Sequence, residues 1–181
     1  MEYEYPIVLK PNRKGSSVGV YIVNEKKKSI GIFKELEKDF NSEEEFLVQE
    51  AIIDALEVSC GCLEGKDGKF WDIPPIEIIP QLGNFFDYDS KYRKGGSIEI
   101  TPPRSLKKSV SNKLIELAKE IHVILGCSVY SRSDFLIKDN KIYYLETNTL
   151  PGMTTTSLLP QECEAIGMNF SKLVDFIIQN S

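Results

Sequence analysis

Histidine is almost missing from this chain: His122 is the only one, and it sits mid-way through a stretch of helical periodicity. That argues against a histidine-centred triad and against a zinc site built on imidazole. The four cysteines, Cys60, Cys62, Cys127 and Cys163, are scattered. Only Cys60-Gly61-Cys62 brings two together, and its one-residue gap is wrong for a zinc knuckle. They read as buried free thiols in a reducing compartment. No apolar run reaches the roughly 18 residues of a membrane span. Met1-Glu2-Tyr3-Glu4-Tyr5 lacks the basic and apolar regions of a signal peptide, so the expected compartment is the cytoplasm. An excess of cations is also lacking. Lys and Arg number 22 against 27 Asp and Glu, a net charge of -5. Nucleic acid and anionic membrane are therefore not expected as main partners. Internal repeats, low-complexity tracts and an evident interdomain linker are absent as well. The rest is ordinary globular composition, 41 % apolar and 27 % charged over 181 residues. That length fits one large domain or two small ones.

The chain opens on a β-type run, Ile7-Val8-Leu9, ending in Lys10-Pro11, where proline is expected to stop the ladder. A loop follows, Asn12-Arg13-Lys14-Gly15-Ser16-Ser17-Val18-Gly19, before strand resumes in Val20-Tyr21-Ile22-Val23. Two readings fit it. Glycines, hydroxyls and cations between two strands suit a flap that wraps phosphates. The same residues suit a solvent-exposed hairpin. The strand that follows excludes a Walker loop. Lys26-Lys27-Lys28 reads as a solvated turn, and Ser29 to Phe40 as a surface helix. Phe46-Leu47-Val48-Gln49-Glu50 is a strand ending in a carboxylate, and Ile52 to Glu64 continues as β. Pro74-Pro75 introduces another strand, Ile76-Glu77-Ile78-Ile79. Residues 85–96 form a long irregular loop, aromatic at one end and cationic at the other. Ser109 to Leu125 is an amphipathic helix ended by Gly126. A short helix is expected from about Leu159 to Ile166, and Ser171 is expected to cap a last amphipathic helix.

Between these helices lies the stretch most suggestive of chemistry. Residues 127–137 read as a strand, Asp139-Asn140-Lys141 as a three-residue turn, and Ile142 to Leu145 as the return strand. Asp134, Glu146 and Asn148 offer oxygens of the kind Mg²⁺ takes and shares with phosphates. A three-residue loop places Asp134 opposite Glu146 on one face; a two-residue loop places them on opposite faces unless a bulge repairs the register. The alternative is a surface hairpin with ordinary acids. Arg132, two residues before Asp134, lies on the same side. Pro151 to Leu158 is hydroxyl-rich and contains Gly152, a suitable setting for a carboxylate or an oxyanion.

Four segments, in order, resemble the D-alanine–D-alanine ligases. Residues 10–19 look like that family's glycine-serine loop. Phe86-Asp87-Tyr88-Asp89-Ser90-Lys91-Tyr92 is similar to its ω-loop. Ser131-Arg132-Ser133-Asp134 and residues 145–154 resemble its metal and acceptor segments. The resemblance implies an α+β, antiparallel-rich ATP-grasp fold with a nucleotide site between two subdomains, here residues 1–56 and 57–181. It implies that Lys10, Ser16 and Ser17 contact ATP phosphates. Glu50 would accept from the adenine amino group, the backbone at Ile53 would pair with the ring, and Glu57 would hold the ribose. Lys91 and Tyr92 would form a lid, with Tyr92 bonded to Ser16. Asp134, Glu146 and Asn148 would hold two Mg²⁺ ions, or Mn²⁺. Arg132 and the Gly152 amide would stabilise the transferred phosphate. Ser157 and the Leu158 amide would bind the second D-alanine. The implied function is ATP-dependent ligation of two D-alanines for peptidoglycan precursors, through a D-alanyl phosphate.

The sequence departs from the family pattern in places. The family's N-terminal domain, which binds the first D-alanine, has no counterpart here, so the chain is expected to be a C-terminal fragment with little activity alone. Its expected partners are ATP, D-alanine and that domain or its separate chain; the resemblance also implies homodimers. Ala55 stands where the family has glycine, and the Asp134–Glu146 interval is one residue short. Two further readings stay open: an inactive nucleotide-binding or interaction module, and a ligase taking D-serine or D-lactate. Tyr92 favours D-alanine, because the lactate ligases carry a histidine in that loop.

Overall fold

A computed structural model describes residues 4–15, 17–39, 45–81 and 96–181, with the side chains at 37 and 39 left aside. The chain divides into two compact units, Met1–Asp54 with Pro80–Ser97, and Ala55–Ile79 with Ile98–Ser181.

The first unit holds a three-stranded antiparallel sheet in the order β2-β1-β3, from β1 (Ile7–Pro11), β2 (Tyr21–Val23) and β3 (Phe46–Glu50). Pro11 is the last residue of β1, paired with Phe46. The ladder runs one step further, because the Asn12 amide donates to the Glu45 carbonyl at 2.7 Å. Proline costs only its own donor here, at the strand end where that loss is tolerated. Helix α1 (Lys26–Asp39) lays Ile32, Phe33 and Leu36 against Ile7, Leu9 and Val23. The expected lysine turn is in fact the first turn of this helix. Cations are unfavourable at a helix N-terminus, but Lys28 is paired with Glu25 at 3.0 Å and the apolar stripe carries the segment.

The second unit is a six-stranded sheet with the path β7-β6-β4-β8-β9 and β5 paired beside β4. Its strands are β4 (Leu56–Glu64), β5 (Phe70–Trp71), β6 (Ile76–Pro80), β7 (Ser97–Ile100), β8 (Tyr130–Lys138) and β9 (Lys141–Asn148). The continuous β run expected from Ile52 is broken before β4, where Asp54 takes a φ of 55° in a turn. Strands β5 and β7 are too short to show a period in the sequence. Alternation along β4 and β8 separates the two faces. Val58, Cys60 and Phe135 face helix α2 (Lys108–Ile124) and meet Leu114 and Ala118 there. Leu63 and Tyr130 face the other way, onto Leu159 and Cys163 of α3 (Leu158–Glu164) and Leu173 of α4 (Phe170–Asn180). These two helices cover one end of their face and leave the other to polar side chains.

The helix ends follow local chemistry. Gly126, at φ 66°, closes α2. Its amide donates to Val123 and the Cys127 amide to His122, the paired bonds of a Schellman ending. The cap of α4 is Asn169 rather than Ser171: the Asn169 side chain accepts from the Lys172 amide at 3.0 Å, which places Ser171 inside the first turn. Among the described residues no helix is long and apolar enough to cross a membrane.

Candidate active site

The polar end of that face is built on β4, β8 and β9. The β8–β9 loop has two residues, not three: Lys138 pairs with Lys141 across Asp139 and Asn140, whose φ values are 50° and 61°. Two successive positive φ angles define the tight hairpin turn that asparagine and aspartate tolerate. By itself this register would separate Asp134 from Glu146. A bulge between Asp134 and Phe135 corrects it, since Phe135 pairs with Tyr144 while Asp134 pairs with Glu146. Leu145 is the extra residue. Arg132 then pairs with Asn148. Arg132, Asp134, Glu146 and Asn148 consequently share one face.

Asp134 is the hub. It is 8 % exposed. Ser59, opposite it on β4, donates to Oδ1 at 2.6 Å. Arg132 forks onto both oxygens, Nε to Oδ1 and a terminal nitrogen to Oδ2, each at 3.0 Å. Asn148 Nδ2 donates to Oδ2 at 3.3 Å. Burial opposes the charge on Arg132, but the Asp134 carboxylate, with Glu162 and Glu146 beyond it, more than offsets this and raises its pKa. Glu162 lies under the same face, on α3. Its Oε1 accepts from the Gly61 amide at 3.1 Å, and Gly61 is the register partner of Arg132. Burial pushes the Glu162 carboxyl up to about 8, while Arg132 and the Gly61 amide pull it down.

The donor set suits a hard divalent cation: two carboxylates and an amide oxygen, all oxygen ligands on one face. Among the described residues no three His, Cys, Asp or Glu side chains cluster to hold a metal. The oxygen set therefore relies on the Asn148 amide for its third member. The remaining expected residues lie as follows. Lys10 is on β1 and Glu50 ends β3. Ser17 has a φ of 59° in the loop after β1. Ile53 is in the turn before β4, and Glu57 lies on β4, on the Ser59 face. Ser16, Lys91 and Tyr92 lie outside the described residues. Around Gly152, Ser157 Oγ accepts from the Thr154 amide at 3.0 Å and meets Thr154 Oγ1 at 2.8 Å. A Cβ on Gly152 would fall 2.9 Å from Ser157 Oγ. Leu158 is buried as the first residue of α3.

A second polar cluster looks like a triad. His122 Nδ1 meets Ser131 Oγ at 2.7 Å, and Nε2 meets Glu64 at 3.3 Å. Both Ser131 and His122 are fully buried at 0 % exposure, so no substrate reaches the hydroxyl. The cluster ties α2 to β4 and β8.

The model of the D-ala D-ala ligase C-terminus matches residues 1–179. The chain belongs to this ligase family. The D-alanine–D-alanine ligase of Leptospira interrogans serovar copenhageni is 43 % identical over 178 residues, 97 % of this chain and 49 % of its own. Ligase A of Bacillus cereus is 41 % identical over 179 residues, 98 % of this chain and 55 % of its own. The chain thus spans about half the length of the curated ligases it matches. Among solved structures, the Bacillus anthracis D-alanine–D-alanine ligase complexed with ATP superposes at a TM-score of 0.75 with 32 % identity. It aligns over 97 % of this chain and 52 % of its own. The VanG D-Ala:D-Ser ligase of Enterococcus faecalis gives 0.79 and 35 %, over 96 % and 49 %. The architecture is the α+β, ATP-grasp fold of these ligases.

Two residues of this polar face were not anticipated. Ser59 was findable, being two residues from Glu57 on one strand. Glu162 was not: among Leu158, Leu159 and Cys163 it reads as an ordinary polar position, and only the packing of α3 onto Gly61 reveals it.

Proposed function

We propose that this chain supplies the nucleotide, metal and acceptor residues of an ATP-dependent ligase that joins two D-alanines for peptidoglycan precursors in the cytoplasm. The observation that carries the reading is the bulge-restored register of β8 and β9, which gathers Arg132, Asp134, Glu146 and Asn148 on one face, in a member of the ligase family.

The roles follow from the chemistry of each group. Lys10, Ser16 and Ser17 donate to the ATP phosphates. Glu50 and the backbone at Ile53 take the adenine, and Glu57 the ribose hydroxyls. Lys91 and Tyr92 close over the site and exclude water, which would hydrolyse an activated acyl group. The carboxylate of the first D-alanine attacks the γ-phosphorus. The bond to the β–γ bridging oxygen breaks, ADP leaves, and a D-alanyl phosphate results. The amine of the second D-alanine then attacks the acyl carbon, loses a proton, and releases phosphate. Arg132 and the Gly152 amide donate to the transferred phosphoryl oxygens, where charge builds. Ser157 Oγ and the Leu158 amide fix the acceptor carboxylate. Asp134, Glu146 and Asn148 would hold Mg²⁺ or Mn²⁺, which supplies the charge neutralisation that three converging anions require.

The N-terminal half that the matched ligases possess would bind the first D-alanine. Joined to or mixed with such a half, the chain is expected to release phosphate from ATP only when D-alanine is added. Release without dependence on any D-amino acid, or none under any amino acid, contradicts the reading. A D-serine acceptor is the second reading, favoured by the likeness to a D-Ala:D-Ser ligase. Product analysis with both amino acids present separates the two.

A further inference from the structure

Glu162 carries a feature the proposed roles leave unused. It is fully buried at 0 % exposure, yet its Oε2 has no hydrogen-bond partner among the described residues. A buried carboxyl oxygen without a hydrogen-bond partner is costly and rare. Space is kept for it. A Cβ at Gly61 would lie 2.9 Å from Oε2 and 2.5 Å from Leu159 Cδ1, so only glycine lets the carboxyl approach the strand here. Gly61 pairs with Arg132 across β4 and β8, and Glu162 and Arg132 act on each other through space. Through Gly61 the orphan oxygen is placed on the same side of the sheet as Arg132, whose fork is engaged by Asp134.

That engagement is contested. Asp134 already accepts from Ser59, from two nitrogens of Arg132 and from Asn148. A carboxylate has about four acceptor sites. A divalent ion at Asp134 must displace one of these donors, and the guanidinium, being a cation, is the one it repels. A half-buried guanidinium released from the carboxylate it pairs with would be disfavoured.

We propose that Glu162 is a positioning residue, a second anchor that takes the Arg132 guanidinium when Asp134 turns to a metal ion. Arg132 thereby stays charged, paired and on the same face. The inference rests on the metal reading given above, but the Arg132–Glu162 exchange can be tested without metal.

Replacing Asp134 by Asn removes the charge that holds Arg132, as a metal would, and keeps the shape. The test is a double-mutant cycle in the metal-free chain, by urea unfolding of the wild type, Glu162→Gln, Asp134→Asn and the double variant. Alone, Glu162→Gln is expected to leave the midpoint unchanged or raise it, because it removes a buried, half-satisfied carboxyl. In the Asp134→Asn background the same change is expected to lower the midpoint, since Arg132 then has neither anion. An equal shift in both backgrounds overturns the proposal. Should Asp134→Asn fail to fold, Mn²⁺ affinity in the presence of ATP decides, read by electron paramagnetic resonance on wild type and Glu162→Gln. A loss of about tenfold, with unfolding unchanged, supports the anchor, and equal affinity overturns it. If the wild type binds no Mn²⁺ beyond that held by ATP, the metal reading fails, and the exchange that a metal would drive is overturned with it.

Discussion

Ser59→Ala removes a single donor from the hub of the face. The Ser59 hydroxyl is fully buried and donates to Asp134 Oδ1 at 2.6 Å. A hydrogen bond to a charged acceptor contributes about 1.5–3 kcal/mol. Asp134 keeps the Arg132 fork and Asn148, so the carboxylate is not orphaned and the cost belongs near the middle, about 2 kcal/mol. That is roughly a 30-fold change in the folding equilibrium, and about 4–8 °C in Tm for a chain of this size. The adjacent Ser133→Ala is the internal comparison. Ser133 is as buried as Ser59, but it faces the opposite side and meets a neutral partner, Thr147 Oγ1, at 2.7 Å. Its loss is expected to cost only about 1 kcal/mol. Paired urea titrations followed by circular dichroism read both. If Ser59→Ala costs no more than Ser133→Ala, Asp134 is not the charged centre described above.

Gly61→Ala drives a methyl into Leu159 and Glu162, and is expected to cost about 1–3 kcal/mol by overpacking; adding Leu159→Val should recover part of it in the same urea assay. Burial lowers the pKa of His122 below its ordinary value of 6.5, with Glu64 opposing. The folded state therefore prefers the neutral ring, and its stability is full above pH 6.5 and lost as pH falls through the lowered value. His122→Gln should flatten the dependence of the urea midpoint between about pH 7.5 and about pH 5. Asn140 sits at φ 61° in the hairpin turn, so Asn140→Gly should be neutral to stabilising while Asn140→Val should cost about 1 kcal/mol or more. Both are read as Tm shifts.

How far the sequence foretold this molecule depends on the range of the forces at each place. Helix α2 was legible because Val110, Leu114, Leu117 and Ile121 repeat at helical spacing, and Gly126 marks the stop. The strands β1, β2, β3, β4, β6, β8 and β9 showed as apolar runs between breakers. The start of α1 did not, since three lysines look like solvent until the apolar face beneath them is known. Ser171 and Asn169 are equally good caps by composition; only the entry angle of the chain chooses Asn169. The hairpin loop is one residue shorter than its composition suggests, because Asp139, Asn140 and Lys141 are all turn formers. The bulge at Leu145 left no local mark at all. It restores the pairing of Asp134 with Glu146, so the gathering of the oxygens is a property of the folded ladder that residue spacing alone does not encode. Glu162 and Gly61 meet across 101 positions of sequence; no periodicity foretells such a contact.

We propose that Asp134, Glu146 and Asn148 together hold a divalent ion for ATP. Glu146 is exposed, so its removal leaves the fold intact. The direct measurement is Mn²⁺ binding in the presence of ATP, by electron paramagnetic resonance, on wild type and Glu146→Ala. Protein-dependent Mn²⁺ binding in the wild type, weakened at least about tenfold in the variant, is the expected result. Equal binding by the two chains, at matched unfolding midpoints, would contradict it.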